Sequence, residues 1–204
     1  MYKSIELDYN MKDLGNFLDE KTLDIHFNSL YKGYLNRLNK LLTKNGYDFR
    51  YSKEELLNHI DEFPISDRDD ILYNLGGVLN HERYFSILTP ISSTKENPFL
   101  TKMNEKYGSI ENFKEEFKEK ALHVVGSGYT NLVMDRNGGL NIINTSNQEL
   151  PDFYGFYPLI SLDLWEHAYF LKYYQNKEEY IDNFFNYLNY TKINELYEKK
   201  AKEI

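Results

Sequence analysis

Apolar and aromatic residues recur at three- and four-residue steps between Asp19 and about Asn45, at Leu23, Phe27, Leu30, Tyr34, Leu38 and Leu41. This is the period of a helix with one buried face, and Asp19 carries the side chain of an N-cap at its start. His26 falls on the same stripe, with Leu30 four residues ahead and Tyr34 four beyond that, so its imidazole is expected to point inward. Ser52-Lys53-Glu54-Glu55 forms a capping box that opens a short helix ending at Phe63-Pro64. Ser66, followed three residues later by Asp69, predicts the start of a long helix from about Asp67 to Leu88. Asn74, Gly77, His81, Phe85 and Leu88 share a face of that helix, so His81 is expected to point inward too.

Pro90 and the Ser92-Ser93-Thr94 loop mark a boundary between two lobes, residues 1–89 and 90–204. The second lobe opens with helix-like segments from about Pro98 to Tyr107 and from Ser109 to His123. The period then changes to two. Thr130 to Met134 and Leu140 to Asn144 flank Asp135-Arg136-Asn137-Gly138-Gly139, whose Asn-Gly pair is a strong hairpin signal. A third strand is expected at Tyr157 to Leu162, then helices at about Glu166 to Tyr174, Glu178 to Leu188 and Lys192 to Lys202. The predicted fold is α+β: an N-terminal helical hairpin lobe, then an α/β lobe with a small three-stranded antiparallel sheet.

With 204 residues the chain is long enough for one large or two small domains. Its formal charge of −8 and lack of a basic stripe argue against nucleic-acid binding. There is no cysteine, hence no disulfide framework and no thiolate metal site. The first residues lack the apolar core of a signal peptide, and no run of about 18 apolar residues occurs. A cytoplasmic protein without membrane association is the expectation. The 19 tyrosines, many beside Asn and Lys, read as compositional bias.

Asp163-Leu164-Trp165-Glu166-His167-Ala168-Tyr169 changes the picture, because it sets a carboxylate and an imidazole four residues apart beside an apolar run. Oxygen and imidazole donors together suit iron, manganese or zinc. Two donors hold a metal weakly, and His26 and His81 are the inward histidines that can complete a set of three imidazoles and one carboxylate between the lobes. Taken singly, each also has a plain reading as a hydrogen-bonded core histidine. His59 reads as a rim residue, and His123 as a partner for the carbonyls at its helix end.

That motif, with Asn80-His81, Gly126-Ser127-Gly128 and Asn147-Gln148 in the same order, resembles the iron/manganese superoxide dismutase family from about residue 5 to 190. Lys21 to His26 is similar to the family's first-ligand helix, and Asn74 to His81 to its second. The resemblance implies a metal set of His26, His81, Asp163 and His167, holding one manganese or iron ion per chain and acting on superoxide. Tyr34 falls where the family has its gateway tyrosine. Gln148 stands where manganese-type members place the glutamine that faces metal-bound solvent, and Gly77 where many iron-type members place theirs, which favours manganese. A group aimed at bound solvent shifts its protonation and the metal's potential. Glu166 resembles the glutamate that crosses the family's dimer interface, implying a homodimer.

The chain also departs from the pattern. Leu30 and Phe170 stand where many members pair a histidine with a tyrosine across the dimer, and replacing both partners of a polar pair can be nearly neutral. Phe85, Tyr129 and Asn131 stand where the family has tryptophans, leaving only Trp165. Lys32, Arg83 and Lys172 are candidates for steering an anion, each with the plain reading of a solvated cation. The expectation is an active dismutase that uses Tyr34 and Gln148 in proton delivery. The alternative is a catalytically weakened metal-binding protein on the same fold, serving storage or interaction, and a non-haem iron oxygenase is a third, weaker reading.

Overall fold

In the computed structural model, which describes residues 1–204, the Asp19 carboxylate accepts from the Thr22 amide at 2.9 Å and caps α1 (Glu20–Asp24). The helix does not continue to Asn45 with one period. A π-helical segment, Ile25–Tyr31, intervenes before α2 (Lys32–Lys44), and its wider i→i+5 turn moves the buried stripe. His26, Phe27, Tyr34 and Leu38 are buried as expected, but Leu30 and Leu41 are only half-buried and Tyr31 and Leu42 take the inward positions.

Ser52 and Glu55 form the reciprocal capping box of α3 (Lys53–Leu56), which runs on as a 3-10 turn, Leu57–Glu62. Ser66 does not cap the next helix. α4 spans Ile65–Ser86, and Pro64 occupies its N-cap position, so Ser66 already lies in the first turn. The proline ring fixes the entering φ, here −55°, and no side-chain cap bond is made. Asn74 through Glu82 are all buried, because α4 packs on α2 and on the third strand. A helix buried on every side is a core element rather than a surface one.

α5 (Pro98–Tyr107) and α6 (Ile110–Leu122) open the second lobe, capped by Asn97 and Ser109. The sheet follows in the order β2-β1-β3, with β1 (Gly128–Met134) antiparallel to both β2 (Leu140–Ser146) and β3 (Tyr157–Asp163). Asp135 fastens the hairpin turn by accepting from the amides of Asn137 and Gly139, and Gly138 takes a φ of 78°. β1 starts two residues earlier and β2 ends two residues later than the alternation predicts. β1 is buried along its whole length, so no alternation marks its start, and in the added end of β2 the Thr145 hydroxyl accepts from the Asn131 amide at 3.3 Å, which places polar groups inward and hides the period. Pro158 lies on the edge strand β3 beside a bulge opposite Leu132/Val133, where a missing N–H costs least.

α7 (Glu166–Tyr173), α8 (Lys177–Phe184) and α9 (Tyr190–Ala201) complete the chain. Backbone bonds from Thr89 to Tyr187 and from Asn189 to Ile87, each 2.8 Å, fasten the end of α4 to the C-terminal helices. No helix is long and apolar enough to cross a membrane.

Glu82, on α4, is the one buried carboxylate in the helical lobe, held by the Lys53 ammonium and by the Tyr31 hydroxyl at 2.7 Å. Burial raises its pKa, which the two donors oppose. Removing the cation strands a charge in a dry site. Lys53→Met is expected to cost about 3 kcal/mol in urea unfolding, with much of the loss recovered in Lys53→Met/Glu82→Gln. Equal stabilities for wild type and Lys53→Met would contradict this.

Candidate metal centre

His26, His81, Asp163 and His167 converge from four elements. His26 comes from the π segment, His81 from the C-terminal third of α4, Asp163 from the last residue of β3 and His167 from the first turn of α7. One donor atom from each lies within 4.8 Å of the other three. Asp163 Oδ2 stands 3.2 Å from His26 Nε2, 3.5 Å from His167 Nε2 and 4.0 Å from His81 Nε2.

Local structure aims each group. Asp163 Oδ1 accepts from the Trp165 amide at 2.9 Å, an Asx-type turn that leaves Oδ2 facing the imidazoles. The Tyr180 hydroxyl donates to the Asp163 carbonyl at 2.9 Å. His81 Nδ1 donates to the Gly77 carbonyl at 2.5 Å, which fixes the tautomer and turns the Nε2 lone pair into the cluster. The His26 ring packs edge-on against His81, His167 and Phe85, with centroids 4.7 to 4.9 Å apart.

His81 Nε2 and His167 Nε2 are buried and have no hydrogen-bond partner. Each such atom costs about 1 to 3 kcal/mol when left unmade. Three imidazole nitrogens and one carboxylate oxygen, with two nitrogens orphaned toward a common point, fit a divalent or trivalent manganese or iron ion.

Tyr34 and Gln148 border the cluster. The Tyr34 ring lies 5.4 Å from that of His81, and Gln148 Nε2 donates to its hydroxyl at 3.4 Å. Asn147, in the left-handed region at φ 49°, turns the chain after β2 to place Gln148, and its carbonyl accepts from the Trp165 indole at 3.2 Å. Two adjacent glycines make room for both. A Cβ on Gly77 would run into the Tyr34 ring, and one on Gly76 into the Gln148 carbonyl.

Three neighbours have no role in the sequence reading. Asn80 donates to Gln148 Oε1 at 3.2 Å and so orients its amide. Tyr73 places its hydroxyl 3.5 Å from that of Tyr34. The Arg37 guanidinium lies 4.7 Å from the Tyr34 ring centroid. Their sequence signals are position alone: Asn80 precedes a ligand-type histidine, Tyr73 lies one helical step of four before Gly77, and Arg37 follows Tyr34 by one turn.

The other candidates lie elsewhere. Arg83 forms a bidentate pair with Asp152, Lys172 donates to the carbonyls of Gly15 and Asn16, and Lys32 donates to Asn28. His59 is half-buried and stacks on Tyr51, and His123 Nδ1 donates to the Glu119 carbonyl at 2.6 Å. Phe85 and Tyr129 are wholly buried, so the wall around the cluster is closed without tryptophan there.

Two family descriptions match the chain. Iron/manganese superoxide dismutases, alpha-hairpin domain, matches residues 1–89, and iron/manganese superoxide dismutases, C-terminal domain, matches residues 95–196.

Electrostatics keep the cluster ready for a cation. Burial opposes ionisation of Asp163, but the His167 and His26 rings outweigh it and hold the carboxylate well below its usual range. Burial pushes His81 down to about 3, with His26 adding to the shift, and lowers His26 as well. Both are therefore neutral, as metal binding requires. In the metal-free protein, a histidine whose folded pKa is depressed binds fewer protons than its unfolded form, whose pKa is about 6.5. Its stability contribution is complete above that value and is lost as pH falls toward the folded pKa. His81 alone is expected to account for about 2 kcal/mol of lost stability between about pH 7.5 and about pH 5. Asp163, with its lowered pKa, contributes its loss only below about pH 4. Urea titrations of the metal-free wild type and His81→Gln should show the gap between them narrowing by that amount on acidification. A constant gap would refute the assignment.

Proposed function

The chain belongs to the iron/manganese superoxide dismutase family, and from that premise we propose that it disproportionates superoxide to dioxygen and hydrogen peroxide. The observation that carries the reading is the buried set of three imidazoles and one carboxylate between the lobes, with Tyr34 and Gln148 at its border. In this reading His26, His81, Asp163 and His167 hold one manganese or iron ion, which supplies a one-electron couple between its +2 and +3 states. Two superoxide anions and two protons give one dioxygen and one hydrogen peroxide.

The chain's own residues then do three things. Asp163, fixed by the Trp165 amide, offsets part of the cation's charge with a single oxygen and keeps the imidazoles turned toward it. Asn80 fixes the Gln148 carboxamide so that its N–H groups face Tyr34, and that pair holds a proton donor at the edge of the site. The closed wall of Phe85 and Tyr129 excludes bulk water.

Manganese is the preferred metal in this reading. Gln148 supplies the amide from the β2 side, and Gly77 has no space for a glutamine while Tyr34 keeps its place. The assembly is a homodimer. Exposed Glu166, Phe170, Leu171 and Tyr174 surround the partly exposed His167, an apolar face around a proposed ligand. The buried but unpartnered hydroxyl of Tyr129 and amide oxygen of Asn131 favour the second reading, a metal-binding protein with weakened turnover.

Protein stripped of metal and reconstituted separately with manganese and with iron decides between them. One ion per chain and rapid dismutation, greater with manganese, is expected, together with loss of at least about 10²-fold in His81→Ala. Stoichiometric metal without turnover in either form would replace the dismutase reading with the second one. In analytical ultracentrifugation the wild type should sediment as a dimer and Phe170→Glu as a monomer. A monomeric wild type would overturn the proposed assembly.

A further inference from the structure

The substrate class proposed above is a small anion, while the chain carries a formal charge of −8. Mean repulsion at long range makes productive encounter depend on a local positive field at the entrance. Tyr34 is 7 % exposed, touches both Gln148 and His81, and is joined at its hydroxyl by the 45 % exposed Tyr73. Through Tyr73 this edge of the cluster reaches solvent on the helical lobe.

Arg37 stands on that edge. Its guanidinium lies over the Tyr34 ring at 4.7 Å, a cation–π contact that holds it there without neutralising it. Nε donates to Asn74 Oδ1 at 2.9 Å, and Asn74 is itself fixed by donating to the Asp70 carbonyl at 2.7 Å. Arg37 is exposed, is in no ion pair, and makes no hydrogen bond through either Nη group. The cations named from sequence differ in that respect, since Arg83 and Lys172 are engaged by a carboxylate and by two carbonyls, and Lys32 by Asn28. A planar fork whose two Nη groups make no hydrogen bond, preorganised by an asparagine and an aromatic face, is suited to receive a small oxyanion.

We propose that Arg37 recruits the anionic substrate, drawing superoxide to the Tyr34 edge of the metal centre. The inference rests on the dismutase reading for the identity of the anion, but not for the existence of the recruiting cation. Stopped-flow association of azide, a small monoanion, with the manganese-loaded protein tests it apart from turnover, and kcat/KM for superoxide is read alongside. At low ionic strength Arg37→Gln is expected to slow azide association about three- to tenfold, and Arg37→Glu further, while Arg37→Lys recovers most of the rate. The fall of the wild-type rate with added salt should flatten in Arg37→Gln. Azide association equal in all four proteins, with equal salt dependence, would overturn the proposal even if dismutation is rapid. Charge-dependent azide association in a protein that does not turn over superoxide would support the proposal and sink the dismutase reading instead.

Discussion

A fully buried carboxylate surrounded by three imidazoles is the constraint on which the rest of the structure depends. An isolated carboxylate in such a place would take up a proton. Asp163 does the opposite, because His167 and His26 approach its Oδ2 while the Trp165 amide occupies Oδ1. That arrangement requires β3, α7, α4 and the first helical segment to meet at one point. It is also incomplete in itself, since nitrogens of His81 and His167 remain buried without partners. The fold carries this local cost, which a cation among the four donors would remove and turn into stabilisation of the native state.

The same packing ties the proposed ligands to the groups beside them. α4 presents the Gly77 carbonyl to His81 Nδ1 while its missing Cβ admits the Tyr34 ring, so one residue orients a histidine and positions a tyrosine. Gly76 does the corresponding service for the Gln148 backbone. Asn80 then links α4 to Gln148, and the Trp165 indole links α7 to the turn that carries it. A shift of α4 relative to the sheet would disturb the donor cluster and the Tyr34–Gln148 pair together. The coupling is mechanical, through contacts between packed groups, and calls for no separate relay.

Much of this was legible in the sequence because helical and strand periods survive wherever one face is buried. The inward direction of His26 and His81, the three strands, the start of α6 near Ser109 and the caps at Asp19 and Ser52 follow from that regularity. What escaped has identifiable physical causes. A π segment adds a residue to the turn, so the inward position passes from Leu30 to Tyr31, and Tyr31 rather than an aliphatic group meets Glu82. α4 is buried all round from Asn74 to Glu82 but exposed over its first turns, where no apolar stripe marks its start, and Pro64 takes the position that Ser66 was expected to cap. The place of Arg37 over Tyr34 depends on Asn74 from another helix, a tertiary contact that spacing along one helix does not encode.

The departures from the family pattern fall on the wall of the site and on its exposed face, not among the four gathered donors. Phe85 keeps an aromatic edge against His26 at 4.8 Å, so that substitution preserves the dry packing. Tyr129 is different, since it pairs with Asp163 across the β1–β3 ladder and brings a buried hydroxyl with no hydrogen-bond partner. Burial holds that phenol well above its usual pKa, so it adds a neutral dipole rather than a charge beside the carboxylate. Leu30 and Phe170 remove a polar pair as a pair, which leaves neither group stranded. Retention of a cation depends on the donors and their tautomers, whereas reaction rate depends also on how the wall and mouth desolvate and guide an anion. In the dismutase reading proposed above, the two properties can therefore vary separately, the donor cluster bearing on the first and Tyr129, Asn131 and the Arg37 edge on the second.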